Sequence, residues 1–246
     1  MLTRWLRQGL KFGICPLCRA SHKLDREYVW YFVDQWSMKD TVVDEVAAAR
    51  GFCAEHAEQI RRVEVDSLGS TIGIGNLYLA TLERLSEDLD RLENDAELQQ
   101  ARCPACVYRD EGVANNARYL LDELASETGF REQLESSVGL CVPHFQLAWR
   151  STTDPSAREL LLAVERTALS KLIAELVEHL RKQRAEFADE RPGEEARSWQ
   201  RAIWLTTGWP PPRTPASVPE DDDPYGAMAD SLAAAVQRVS SEQRPQ

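Results

Sequence analysis

The strongest constraint on this chain is a pattern that occurs twice: CPxC, then 34 residues, then CxxH. The first copy is Cys15, Pro16 and Cys18 followed by Cys53 and His56. The second is Cys103, Pro104 and Cys106 followed by Cys141 and His144. The copies are offset by 88 positions, from Cys15 to Cys103, and together they use all six cysteines. Gly51 and Gly139, Phe52 and Leu140, Tyr31 and Tyr119, Asp34 and Asp122, and Asp66 and Asp154 correspond at the same offset. An internal duplication is the simplest account, and so long a period points to two lobes rather than a many-repeat solenoid.

The spacing suits a metal ion. CxxC lets two thiolates converge on one ion, and CxxH adds a third thiolate and an imidazole, which completes a closed tetrahedral set. Read within each copy, Cys15, Cys18, Cys53 and His56 form one site, and Cys103, Cys106, Cys141 and His144 form the other. Two zinc ions per chain are the expected cofactor, because Cys3His suits zinc and zinc needs no assembly machinery. An iron–sulfur cluster is the alternative and mononuclear iron the third reading; buried free cysteines or disulfides are the bland one. His22 follows Cys18 by one helical turn, but Asp110 stands 88 residues on, so the repeat does not support it as a ligand. His179, in the polar stretch EHLRKQR, reads as a solvent-facing residue. The pairs Asp34/Asp122 and Asp66/Asp154 could accept hydrogen bonds from metal-bound His56 and His144, with capping or surface roles as the plain alternative.

The fold class expected is all-α: two helical lobes, each stapled by a metal, then a C-terminal helix and a disordered Pro/Asp-rich tail. Proline directly after the first cysteine of each CPxC suits cysteine at the cap and proline at the first helical position. Helices are expected over 17–37, 40–50, from Cys53, over 66–98, 105–126, from Cys141, over 156–187 and after Gly193. Gly51 is a natural helix stop. The leucine ladder Leu77, Leu79, Leu82, Leu85, Leu89 and Leu92, with its partial counterpart Ile173, Val177 and Leu180, reads as core or helix-pairing surface. SLGSTIGIGN, residues 67–76, lacks the GxGxxG order and the preceding strand of a phosphate loop, so close helix packing or a late helix start explains its glycines. The boundaries read as a basic amphipathic arm, 1–12, then metal-binding repeats over 13–100 and 101–190. A helix over 191–209 and an acidic, Pro-rich tail with a short helix over 210–246 complete the chain.

Composition narrows the function. A net charge of -11 and a pI near 5.0 oppose a general nucleic-acid-binding surface. Arg4, Arg7, Lys11, Arg19 and Lys23 form a basic run without an acidic residue; it reads as a solvated face, or as a docking patch for an acidic partner or membrane surface. No stretch has the roughly 18 apolar residues of a membrane span. MLTRWLRQGLKF has no signal-peptide core; Leu2, Trp5, Leu6 and Leu10 share a face that suits a short helix packed on the body. A cytoplasmic location is expected, since paired cysteines in a reducing compartment point to metal or redox chemistry.

At the residues Cys15, Pro16, Cys18, Gly51, Phe52, Cys53 and His56, and again at Cys103, Pro104, Cys106, Gly139, Leu140, Cys141 and His144, the chain resembles a bacterial family of uncharacterised proteins. Its members carry CPxC, an aromatic-rich helix and G(F/L)CxxH, twice over. The resemblance spans about residues 13 to 205 and implies metal binding without an activity. With every cysteine committed to a site and no His–carboxylate arrangement for acid–base work, the chain reads as a non-enzymatic interaction module or scaffold with an unknown protein partner. A thiol-based redox or metal sensor is the alternative. An electron-transfer or cluster-dependent enzyme follows only if iron–sulfur is present.

Overall fold

The computed structural model describes residues 2–11, 13–37, 39–92, 101–126, 128–187 and 189–209. The expected tail linker and tail helix over 210–246, and the last residues of the helix expected over 66–98, lie outside them. Among the described residues the chain is helical, with no strand and no helix long and apolar enough to cross a membrane. The described residues form α1 (Leu2–Lys11), α2 (Pro16–Tyr31), α3 (Asp40–Ala48), α4 (Ala54–Arg61), α5 (Ile72–Leu92), α6 (Pro104–Ser126), α7 (Thr128–Glu135), α8 (Val142–Arg150), α9 (Pro155–Lys182) and α10 (Ser198–Thr207). π-helical turns extend α2 over Phe32–Trp36 and α4 over Arg62–Ser67.

The duplication carries through to the elements. α2, α3, α4 and α5 recur as α6, α7, α8 and α9. The helix α7, which buries Phe130 and Leu134 on one face, begins 88 residues after α3. Gly51 and Gly139 both take left-handed conformations, at φ 90° and 71°. Each turns the chain out of one short helix and into the start of the next, two residues before Cys53 or Cys141, where a residue with a Cβ would be strained. The helix expected from residue 66 starts later, as the alternative reading of its glycines had it: α5 begins at Ile72, where Glu64 accepts hydrogen bonds from the N–H groups of Gly73 (2.7 Å) and Ile74 (2.9 Å). This carboxylate satisfies two of the donors that a helix N-terminus leaves open.

Contacts divide the described residues into two compact units. One takes the residues up to Leu24 together with those from Asp110 onward; the other takes Asp25–Arg109. The boundaries fall inside the continuous helices α2 and α6. In the first unit Leu6 of α1, Leu17 of α2, Leu120 and Leu124 of α6, and Leu161 of α9 are fully buried. The basic arm is therefore a helix packed on its own unit, with Arg7 reaching Glu123 at 3.2 Å. In the second unit the core is aromatic. Tyr28 meets Trp36, Phe52 and Tyr108 at ring-centroid distances of 5.6, 6.1 and 5.4 Å, and Phe32 packs edge-on to Phe52 at 4.9 Å. Such edge-to-face pairs add to the stabilisation from burial alone.

The leucine ladder divides. Leu77 is fully buried in the second unit, whereas Leu79, Leu82 and Leu89 are more than half exposed; so are Ile173, Val177 and Leu180 on α9.

Candidate metal centres

Four cysteines stand at helix starts. The carbonyls of Cys15, Cys53, Cys103 and Cys141 each accept a hydrogen bond from the amide four residues on, at 2.7–3.1 Å. Cys53 and Cys141 have the extended backbone of a cap residue, and Pro16 and Pro104 follow as first helical residues. The second ligand of each motif (Cys18, His56, Cys106 or His144) lies three residues into the first turn, on the same face. Unpaired N–H groups and the helix dipole at these ends favour thiolate over thiol.

The four pairs combine across the copies. Cys15 and Cys18 of the first copy meet Cys141 and His144 of the second, while Cys53 and His56 meet Cys103 and Cys106. This overturns the expectation that each copy closes its own site. Both groupings satisfy the motif equally, and only the packing decides between them. α2 starts beside α8 in the first unit, and α4 starts beside α6 in the second. Each group lies wholly within one unit.

The separations in each group are compatible with the ligands of one metal ion. A tetrahedral ion with S ligands at about 2.3 Å and N ligands at about 2.0–2.1 Å sets S···S edges of about 3.8 Å and S···N edges of about 3.6 Å. In the first group Cys18 and Cys141 sulfurs are 3.5 Å apart, and His144 Nδ1 lies 3.6, 3.2 and 3.1 Å from Cys15, Cys18 and Cys141. In the second, Cys53 and Cys106 sulfurs are 3.8 Å apart, and His56 Nδ1 lies 3.2, 3.7 and 3.4 Å from Cys53, Cys103 and Cys106. All six cysteines are free thiols.

Crowding and burial shift the thiols of both groups in opposite directions. In the first group, burial drives the Cys15 thiol well above its ordinary value. Hydrogen bonding to Cys141 and burial push Cys18 up to about 12, while hydrogen bonds from Cys15 and Cys18 hold Cys141 far below. In the second, burial and the charge of Cys103 push Cys106 up to about 12. Burial opposes ionisation of Cys103 too, but hydrogen bonding to His56 outweighs it and draws that thiol down to about 6. Three sulfurs this close cannot all ionise alone, and a divalent ion removes that conflict.

The surroundings differ. Behind His56, Asp25 accepts a hydrogen bond from Nε2 at 3.1 Å, and the Arg109 guanidinium lies 3.7 Å from the same carboxylate. Burial works against a charged His56, yet hydrogen bonds to Asp25, Cys103 and Cys53 push its pKa up to about 10. With Nδ1 on a metal, the same Asp25 contact would fix the ring's tautomer and orientation. At position 113, the equivalent of Asp25, stands a buried valine, and no carboxylate backs His144 among the described residues. The first group is instead covered by the chain leaving α10. The Trp209 N–H donates to Cys18 Sγ at 3.3 Å, and Gly208 takes φ 96°, ψ 150°, a conformation open essentially to glycine.

None of the aspartates put forward from the repeat backs a histidine. Asp34 and Asp122 are exposed, Asp66 pairs with Arg61 at 2.9 Å, and Asp154 caps α9 by accepting from the Ser156 amide. His22 and His179 belong to neither group. Asp25 carries no repeat signal, because its counterpart is Val113; Gly208 and Trp209 lie beyond the duplicated segment.

The model of a family of unknown function, DUF6062, matches residues 11–211. The chain belongs to DUF6062. That match spans both copies of the motif and all eight grouped residues. No curated protein and no solved structure matches this DUF6062 chain.

Proposed function

We propose that this protein binds two zinc ions, one in each Cys3His group, and that it is a non-enzymatic interaction module. The carrying observation is the set of ligand-atom separations, all within 4.8 Å of one another in each group. Such separations suit one tetrahedral ion. The ligands of an iron–sulfur cluster bind different irons and so stand farther apart. Each ion would join two helix starts, so that metal binding contributes directly to folding. A reducing compartment such as the cytoplasm suits six free thiols.

The interaction role rests on the exposed ladders. Leu79, Leu82 and Leu89 of α5, and Ile173, Val177 and Leu180 of α9, stand three, four or seven residues apart on faces open to solvent. A helix with its own apolar stripe is the partner class that fits such faces. A sensor is the second reading, favoured by the partial exposure of the thiols in the second group.

Metal content and the visible spectrum of anaerobically purified protein test the zinc assignment. Two zinc ions per chain and no colour are expected; iron with sulfide and a brown chromophore would overturn it. A photo-crosslinking residue at position 82 or 177 should capture a protein partner in cells, and the same residue at exposed Asp90 should not. Equal capture at all three positions would count against the ladders.

A further inference from the structure

The two groups have matching ligands but unequal access. Cys15, Cys18 and Cys141 are 0–2 % exposed. Gly208 and Trp209 lie over them: a Cβ built at Gly208 would stand 3.8 Å from Cys18 Sγ and 3.9 Å from Cys141 Sγ. Cys53, Cys103 and Cys106 are all partly exposed, and Ala54, Glu55, Ala101 and Arg102 beside them are open to solvent.

We propose that the second centre is an oxidation site for peroxides: Cys53 and Cys106 are joined and the ion leaves, while the first centre keeps its metal. This rests on the reading of both groups as zinc centres.

The chemistry balances. One thiolate attacks a peroxide oxygen, the O–O bond breaks, and hydroxide leaves to take up a proton, giving a sulfenic acid. The second thiolate attacks that sulfur, the S–O bond breaks, and a second hydroxide is protonated. Hydrogen peroxide, two thiolates and two protons thus become one disulfide and two waters, and the zinc is released as a dication. Each sulfur loses one electron, and the peroxide gains two.

Proximity alone would select the other centre, where Cys18 and Cys141 are 3.5 Å apart against 3.8 Å for Cys53 and Cys106. Access therefore decides the outcome, because a buried thiolate is inert to an oxidant that cannot reach it. The Cys53–Cys106 bond would link the starts of α4 and α6 in place of the ion. His56 would lose its metal but keep Asp25.

The test uses the full, reduced, zinc-loaded chain and hydrogen peroxide. Native mass spectrometry follows zinc, and alkylation with peptide mapping follows each cysteine. One zinc ion should leave at least about tenfold faster than the other, with a Cys53–Cys106 disulfide and Cys15, Cys18 and Cys141 still alkylatable. Gly208→Val, which disturbs the cover, should bring the two release rates together. Equal rates in the unaltered protein, or a Cys18–Cys141 disulfide forming first, would overturn the inference alone. A reduced protein holding no zinc would overturn the zinc reading with it.

Discussion

The first and second centres present the same four ligand types from the same kind of helix start, yet they are completed by different means. The first is sealed: its sulfurs are buried, a backbone N–H from just beyond α10 reaches Cys18, and among the described residues no carboxylate backs His144. The second is open, but its histidine is held by Asp25. Neither finishing device belongs to the repeated motif. A duplicated ligand set thus leaves each copy free to acquire its own balance of seclusion and orientation, through residues the motif does not contain.

Removing a ligand should have the largest effect and tests which residues share an ion. Cys18→Ser and Cys141→Ser should each lose the same zinc ion, and Cys53→Ser and Cys103→Ser the other. The stability lost should be a large part of the about 10–16 kcal/mol typical of structural zinc sites. Native mass spectrometry of the double variant decides: Cys18→Ser with Cys141→Ser should lose one ion, whereas pairing within copies would cost both.

Next comes the cover. Gly208→Ala should cost about 1–3 kcal/mol by forcing a side chain into a conformation reserved for glycine. Its zinc release should accelerate at the first centre only, as a competing chelator would read out. The mirror experiment is Asp25→Ala, which should weaken zinc at the second centre by about 10–100-fold and leave the first unchanged.

The smallest effect concerns pH. In the first unit Glu165 accepts a hydrogen bond from the Leu140 amide at 2.6 Å, and burial pushes its pKa up to about 8. The folded state thus holds this proton more tightly than the unfolded one. The resulting stability is complete below the unfolded value of 4.5 and fades as pH rises towards about 8. Denaturation midpoints should fall from pH 6 to pH 8 by the equivalent of about 1–2 kcal/mol, and Glu165→Gln should flatten the trend.

Much of this was legible in the sequence. The eight grouped residues stand out by spacing, and proline after cysteine marks the starts of α2 and α6. Which motif meets which is not encoded in the spacing, because 34 residues separate the halves in both copies and either grouping satisfies it. The grouping depends on which helix starts the fold brings together, those of α2 and α8 and those of α4 and α6. The helix α7 could have been inferred from α3 through the offset. Asp25 could not, since duplication hides a residue that differs between the copies. The exposure of Leu82 and Leu89 was also hidden: apolar periodicity marks a face, but not whether anything covers it.

The exchange of partners between the copies bears on how the chain is made. Cys15 and Cys18 leave the ribosome first, but their mates Cys141 and His144 come last. Cys53 and His56 emerge in between, ready to complete a set that the finished fold does not use. At about 5–20 residues per second, some 4–17 s pass between His56 and Cys141. An ion taken up in that interval by the first copy alone must later be surrendered. The ligands synthesised earliest are the last to be matched, and a fragment ending before Cys103 would hold its metal in the wrong company.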